Sequence, residues 1–219
     1  MLLADVLIPQ VLMRLYPSMV WRIKRSETPA VYLTFDDGPH PDVTPVVLDM
    51  LAMAQAKATF FCLGKNVAAH PEIYRRILAE GHATGNHTYS HCSGWKTSLE
   101  EYVSEVNEAA AHIDSTLFRP PYGRITRQQQ ERLIQDGYTI VMWDVLGKDY
   151  KGEAIANNLD KRVLNRVVDG SLVVLHDSKK AAPALLPTLP RMLSGLKKRN
   201  FELKALSPGL LVRQDDRPT

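Results

Sequence analysis

The stretch TFDDGP at residues 34–39 closes a short run, residues 31–35, made of β-branched, aromatic and other apolar side chains. Such a run forms a strand, and the glycine and proline that follow it end the strand in a turn. Turn chemistry alone accounts for much of the stretch, because glycine accepts positive φ and aspartate caps turns. It does not account for two adjacent carboxylates, Asp36 and Asp37, which repel each other. The pair implies either a cation beside it or two separate tasks.

Outward from this strand, strand-like and helix-like segments alternate. Further strands are predicted at residues 58–62, 82–85, 117–119, 138–143, 172–175 and 201–206, the one at 82–85 being the weakest. Thr44 followed by Pro45 predicts a helix with Thr44 as its N-cap. Helices are also predicted over 71–80 before Gly81, from Ser98 with Glu101 at capping-box spacing, over 126–136 before Gly137, over 153–168 before Gly170, and over 183–198. Seven strands joined by crossover helices define an α/β protein with a parallel sheet, open or closed into a barrel.

The 219 residues fit one domain, with 45% hydrophobic and 23% charged residues. A formal charge of +3 with scattered Lys and Arg does not make a nucleic-acid-binding face; the one short cluster, Lys197, Lys198 and Arg199, reads as a solvated helix end. Cys62 and Cys92 form no CxxC pair and are expected as free thiols, Cys62 in the core, with one bridge between them as the alternative. Residues 1–29 form an apolar segment interrupted by Asp5, Pro9, Arg14 and Pro17, a poor signal peptide that is expected to pack on the domain. A weaker alternative is contact with a membrane surface, since Arg22, Lys24 and Arg25 follow the apolar positions. The main domain is expected to span 30–207, with a tail at 208–219.

The unusual polar residues fall at predicted strand ends: Asp36 and Asp37, His87, Arg119, Asp144 and His176. In α/β architectures the C-terminal edge of the strands is where ligands bind. Five segments thus deliver polar groups to one rim. In GNHTYSH, His87 and His91 are four residues apart, and one turn of chain brings both imidazoles to one face. Two histidines and one aspartate with an open position are the ligand set of a hydrolytic zinc site. One aspartate then ligates the ion while its neighbour acts as base.

TFDDGP, HTYSH, RPPYG and VVLHD resemble, in order and spacing, the motifs of the polysaccharide deacetylases, carbohydrate esterase family 4 with its NodB-homology domain. The resemblance runs from about residue 31 to about 206. It implies a distorted (β/α)7 barrel and a metal, usually zinc with cobalt or nickel as substitutes, held by Asp37, His87 and His91. It implies Asp36 as general base, oriented by Arg119, and the Tyr122 N–H as an oxyanion donor. His176 becomes the general acid, positioned by Asp149. This last match comes from LGKDYKG, where Leu146 and Tyr150 depart from the family's Asp-x-x-Asp-Trp pattern. Pro120, Tyr122, Trp143 and Val174 are the implied substrate contacts, with Val174 where the family usually has leucine; Trp143 by itself reads as core, and Asp144 as a strand-end cap.

The implied reaction is removal of an N-acetyl group from an N-acetylhexosamine unit of a glycan or glycolipid precursor. Two other readings are the same chemistry on O-acetyl esters or non-sugar amides, and a silent carbohydrate-binding barrel. No protein partner is expected. The expected location is the cytoplasm or the cytoplasmic membrane surface, or outside the cell if a leader has been removed.

Overall fold

The computed structural model describes residues 13–23 and 28–207. The expected C-terminal tail, much of the apolar N-terminal segment, and Lys24 and Arg25 lie outside the described residues.

Eight parallel strands form one curled sheet: β1 (Ala30–Asp36), β2 (Thr59–Cys62), β3 (Ala83–Asn86), β4 (Leu117–Phe118), β5 (Thr139–Ile140), β6 (Val145–Leu146), β7 (Leu172–His176) and β8 (Glu202–Leu203). The order is β5-β4-β3-β2-β1-β7-β6, and β8 pairs with the start of β1. Packed against it are α1 (Thr44–Met53), α2 (Gly64–Ala69), α3 (Pro71–Ala79), α4 (Leu99–Ala110), α5 (Arg127–Gln135), α6 (Leu159–Leu164) and α7 (Ala182–Lys198). This is the distorted (β/α)7 barrel expected for a single domain.

Strand periodicity sorts the two faces of the sheet. Val31, Leu33, Phe35, Val173 and Leu175 point outward into the main core under the helices. Tyr32 and Leu172 point inward, with Phe61, Leu117 and Val141, and fill the lower part of the barrel. Above them on the same strands come Thr34 beside Val174, then Asp36 beside His176. The lumen therefore changes from apolar to charged towards the C-terminal strand ends.

The barrel is not closed by its own terminal strands. Between β5 and β7, Val20 bridges Val141 and Arg22 bridges Ser171. Val20 donates to Ile140 O at 2.8 Å and accepts from Met142 N at 2.7 Å. Met19, Val20, Trp21 and Ile23 are buried. Among the described residues, no helix is long and apolar enough to cross a membrane.

Three local expectations are corrected. The strand read at 138–143 is only Thr139–Ile140, and a separate strand at Val145–Leu146 was not anticipated. The helix read over 153–168 is only the end of a 3-10 stretch, Asp149–Ile155, and the short α6; Asn158 at φ −132° interrupts the helical path, and Gly152 at φ 59°, ψ −137° kinks the chain just before it. Thr44 is not an N-cap. It lies inside the first turn of α1, and its hydroxyl donates to Asp177 Oδ2 at 2.5 Å while accepting from His40 N at 2.7 Å. Ser98 and Glu101 do form a capping box on α4.

Candidate active site

Asp36 ends β1, in register with His176 on β7 and with Phe61 on β2. Arg119 follows β4, and its guanidinium turns back into the lumen, fully buried. It lies 4.0 Å from the Phe61 ring centroid. Its Nη1 donates to Asp36 Oδ1 at 2.7 Å and Thr34 Oγ1 at 2.6 Å, Nε to Val141 O at 3.1 Å, and Nη2 to Met142 O at 3.0 Å. A buried guanidinium tolerates desolvation only when its donors are matched in this way. The result is an aspartate whose Oδ1 is held and whose remaining oxygen is left to the rim.

Asp37, His87 and His91 converge beside it. Their ligating atoms all lie within 4.8 Å of one another. His91 Nε2 is 3.2 Å and His87 Nε2 3.7 Å from Asp37 Oδ1. That oxygen is buried and makes no hydrogen bond among the described residues. Ligand bonds of about 2.0 Å at a tetrahedral centre place neighbouring donor atoms about 3.3 Å apart, so these separations fit a shared ion. His87 Nδ1 lies 2.7 Å from Arg119 O, which fixes the N–H at Nδ1 and leaves the Nε2 lone pair towards the centre.

The charge states agree with that arrangement. Burial, reinforced by His91 against the pull of Asp36 and Asp37, lowers the His87 imidazole to about 4, so it is neutral at pH 7. Burial raises the Asp37 carboxyl, but the imidazoles of His91, His87 and His176 outweigh it and hold it well below the carboxylate range.

The backbone is bent to bring these groups together. GNHTYSH is the end of β3 followed by a loop from His87, and not a helix; Thr88 and His91 have φ of 65° and 71°. Asp37 and Tyr122 are also left-handed, at 77° and 60°. For non-glycine residues this conformation costs energy and gathers at sites where geometry matters more than stability. Buried Asn86 holds the loop, donating to Val106 O at 2.9 Å and accepting from Thr88 N at 2.9 Å. Asn66 holds the other side through Asp37 O at 2.7 Å.

Across the lumen, His176 Nδ1 pairs with Asp149 Oδ1 at 2.8 Å, and its backbone N–H donates to Asp149 Oδ2 at 2.6 Å. Burial pushes this imidazole down, yet the charge and hydrogen bond of Asp149, with Asp36 and Asp37 beyond, lift it to about 9. It is therefore protonated at neutral pH, with Nε2 as its remaining donor. Tyr150 packs edge-on at 5.4 Å between ring centroids.

The implied substrate contacts are spread out. Tyr122 is exposed at the rim, with its ring 4.5 Å from His91. Pro120 is buried, and its carbonyl accepts from Gly123 N. Val174 is buried one layer below His176. Trp143 is half-buried among core residues, 5.8 Å from the Arg119 guanidinium carbon. Asp144 does not reach the rim. Because the chain restarts as β6, Asp144 stands at the opposite end of the barrel, bound by Arg22, Ser171 and Leu172 N.

Three residues were missed. Thr34 accepts from Arg119, and i,i+2 spacing from Asp36 on a strand was its signal. Asn86 lies inside the quoted histidine motif. Asp177, next to His176, is fully buried with Oδ1 unpartnered, and burial, reinforced by Asp37 and Asp36, pushes its carboxyl up to about 7 despite the Thr44 hydrogen bond. A Cβ on Gly38 would stand 2.1 Å from Asp177 Oδ2, so this carboxyl is pressed beneath the turn that carries Asp37.

Fold and site define a parallel barrel with a two-histidine, one-carboxylate centre at its mouth. The chain belongs to the polysaccharide deacetylase family, whose model matches residues 23–141. It is 39% identical over 154 residues to a peptidoglycan-N-acetylglucosamine deacetylase of Bacillus cereus, covering 68% of this chain and 56% of that protein. The chain thus spans little more than half the length of that relative. It is 33% identical over 199 residues to a chitooligosaccharide deacetylase of a Bradyrhizobium species, covering 83% of this chain and 90% of that one. The crystal structure of the peptidoglycan N-acetylglucosamine deacetylase Bc1960 matches with a TM-score of 0.83 at 31% identity, over 88% of this chain and 92% of that one.

Proposed function

We propose that this protein hydrolyses the N-acetyl group of an N-acetylhexosamine unit in a glycan, oligosaccharide or glycolipid precursor, releasing acetate, with a divalent ion at Asp37, His87 and His91. The observation that carries the reading is the pair of polar couples flanking one centre: Arg119–Asp36 on one side and Asp149–His176 on the other. The substrates in the relatives' names, peptidoglycan and chitooligosaccharide, support the sugar class.

The donor set suits zinc, and cobalt or nickel as substitutes. When bound, such an ion supplies Lewis-acid polarisation of the acetyl carbonyl and acidification of water. Asp36 takes the proton of the attacking water, its orientation set by Arg119. The Tyr122 N–H donates to the developing oxyanion. His176 gives its Nε2 proton to the departing amine, and Asp149 keeps that proton in place until then. Val174 sets the floor beneath His176 against which the acetyl methyl packs.

The test is acetate release by protein stripped with chelator and then given zinc or cobalt, across chitooligosaccharides, peptidoglycan fragments, acetylated xylan and acetylated monosaccharides. Metal-restored release from N-acetylated sugars is expected. Release from xylan esters alone would replace the amide reading, and no release with metal bound would remove the enzymatic one.

A further inference from the structure

Beyond the reactive centre the rim carries a ladder of rings and one cation. His91 meets the Tyr122 ring at 4.5 Å, the Arg124 guanidinium lies 5.8 Å from the Tyr122 ring centroid, and it lies 5.1 Å from that of Trp95. Tyr122 is 61% exposed and Trp95 66%, the latter among the most exposed large apolar side chains described. A lone surface tryptophan needs no explanation. A tryptophan and a tyrosine ring against one guanidinium, with the tyrosine in turn against a candidate metal ligand, form a connected surface.

That surface is held from beneath. Gly94 N donates to Arg124 O at 3.2 Å. Gln129, 1% exposed, donates through Nε2 to Gly94 O and Thr97 O, each at 3.0 Å, while its Oε1 accepts from Thr126 N. A Cβ on Gly94 would come within 2.5 Å of Gln129 Oε1 and 2.6 Å of Arg124 O. The turn bearing Trp95 and the turn bearing Arg124 are thus pressed together as one unit, which lowers the entropy lost when a ligand settles on it.

Arg124 has no carboxylate partner among the described residues, whereas Arg76, Arg127 and Arg132 each pair with an acid four residues on. Rings beside a guanidinium hold it through its face and leave the in-plane N–H donors at its edge for a bidentate acceptor. Aromatic faces accept the apolar face of a sugar ring.

We propose that Trp95, Arg124 and Tyr122 form a subsite for the sugar next to the one being deacetylated, and that Arg124 selects a unit bearing an anionic group, a carboxylate or a phosphate. This deepens the proposed deacetylase reading and rests on it for the direction in which substrate lies.

Binding, not turnover, tests it, so its failure is separable from failure of the deacetylase reading, which acetate release decides. Calorimetry on the full chain would compare four probes: N-acetylglucosaminyl-N-acetylmuramic acid, its methyl ester, N,N′-diacetylchitobiose and diacetylchitobiose 1-phosphate. The free acid is expected to bind at least tenfold more tightly than its ester if a carboxylate is the group read. The phosphate is expected to show the same margin over diacetylchitobiose if phosphate is read. In Arg124→Gln that ratio falls to about 1, and in Arg124→Lys it is only partly lost because the charge remains without the fork. Trp95→Ala is expected to weaken all four probes. Both ratios near 1 in the unaltered protein, or a ratio that survives Arg124→Gln, would overturn the subsite.

Discussion

At the lower end of the barrel, Asp144 has both oxygens engaged: Oδ1 by Leu172 N at 2.7 Å, Oδ2 by Ser171 Oγ at 2.9 Å and Arg22 Nε at 2.8 Å. At the upper rim, Asp37 Oδ1 and Asp177 Oδ1 are buried without a hydrogen-bond partner. Asp144 is complete at its end of the barrel, whereas Asp37 and Asp177 at the rim are not. An unmatched buried oxygen costs on the order of 1–3 kcal/mol, a cost that persists where the missing partner is a ligand. The rim also holds a run of left-handed non-glycine residues, Asp37, Thr88, His91 and Tyr122, while Gln55 and Asn200 take that conformation at helix ends.

The sharpest way to break this contrast is at Asp36. Asp36→Asn keeps an oxygen for Arg119 Nη1, so the guanidinium is not orphaned; Asp36→Ala would strand it at a cost of about 3–5 kcal/mol and confuse folding with catalysis. Asp36→Asn is expected to lower kcat for acetate release by at least about a hundredfold while zinc still binds one per chain in a titration. His87→Ala is expected to lose the zinc as well. Near-normal turnover in Asp36→Asn would end its assignment as base.

A smaller effect separates the second couple. His176 holds its proton below about 9 and loses it as pH rises through that value, so the alkaline limb of kcat is expected there. In Asp149→Asn the main source of the rise is gone, and the limb is expected to move down by roughly two pH units towards an ordinary imidazole. The raised value also means that the pair stabilises the fold fully below about pH 6.5 and no longer above about 9. A pH–rate profile that does not move would show that His176 is not the acid.

The least effect on chemistry is expected at the lower end. Asp144→Ala removes the acceptor of Leu172 N–H and of the Ser171 hydroxyl and one partner of Arg22, and is expected to cost about 2 kcal/mol in a denaturant titration, with kcat and zinc stoichiometry unchanged. A drop in kcat without a drop in stability would return Asp144 to the rim.

Much of this was legible in short stretches. TFDDGP and HTYSH point to a centre in combination, because a turn or a solvated face explains either one alone but not two acids and two histidines delivered to one rim, and each motif is complete within a few residues. Asp144 was misread because its place depended on the chain leaving β5 at Ile140 and starting a new strand at Val145. Asp177 was passed over although it adjoins His176, because nothing local says that Gly38 and Thr44, far off in the chain, close over it. The break at Asn158 was hidden for a similar reason: whether a helical pattern runs on unbroken depends on what packs around it.

By itself the chain order of residues determined an alternating α/β architecture, a buried strand ending in paired acids, and the residue types of a metal-binding and proton-transferring centre. These follow from periodicity and turn chemistry, which act over a few residues. Only the tertiary structure decided which groups meet: Arg119 with Asp36 and Thr34, His176 with Asp149, Val20 in the gap between β5 and β7, and Arg124 between Tyr122 and Trp95. Those contacts depend on strand register and on where an interrupted strand resumes, and both are set by the packing of the whole barrel.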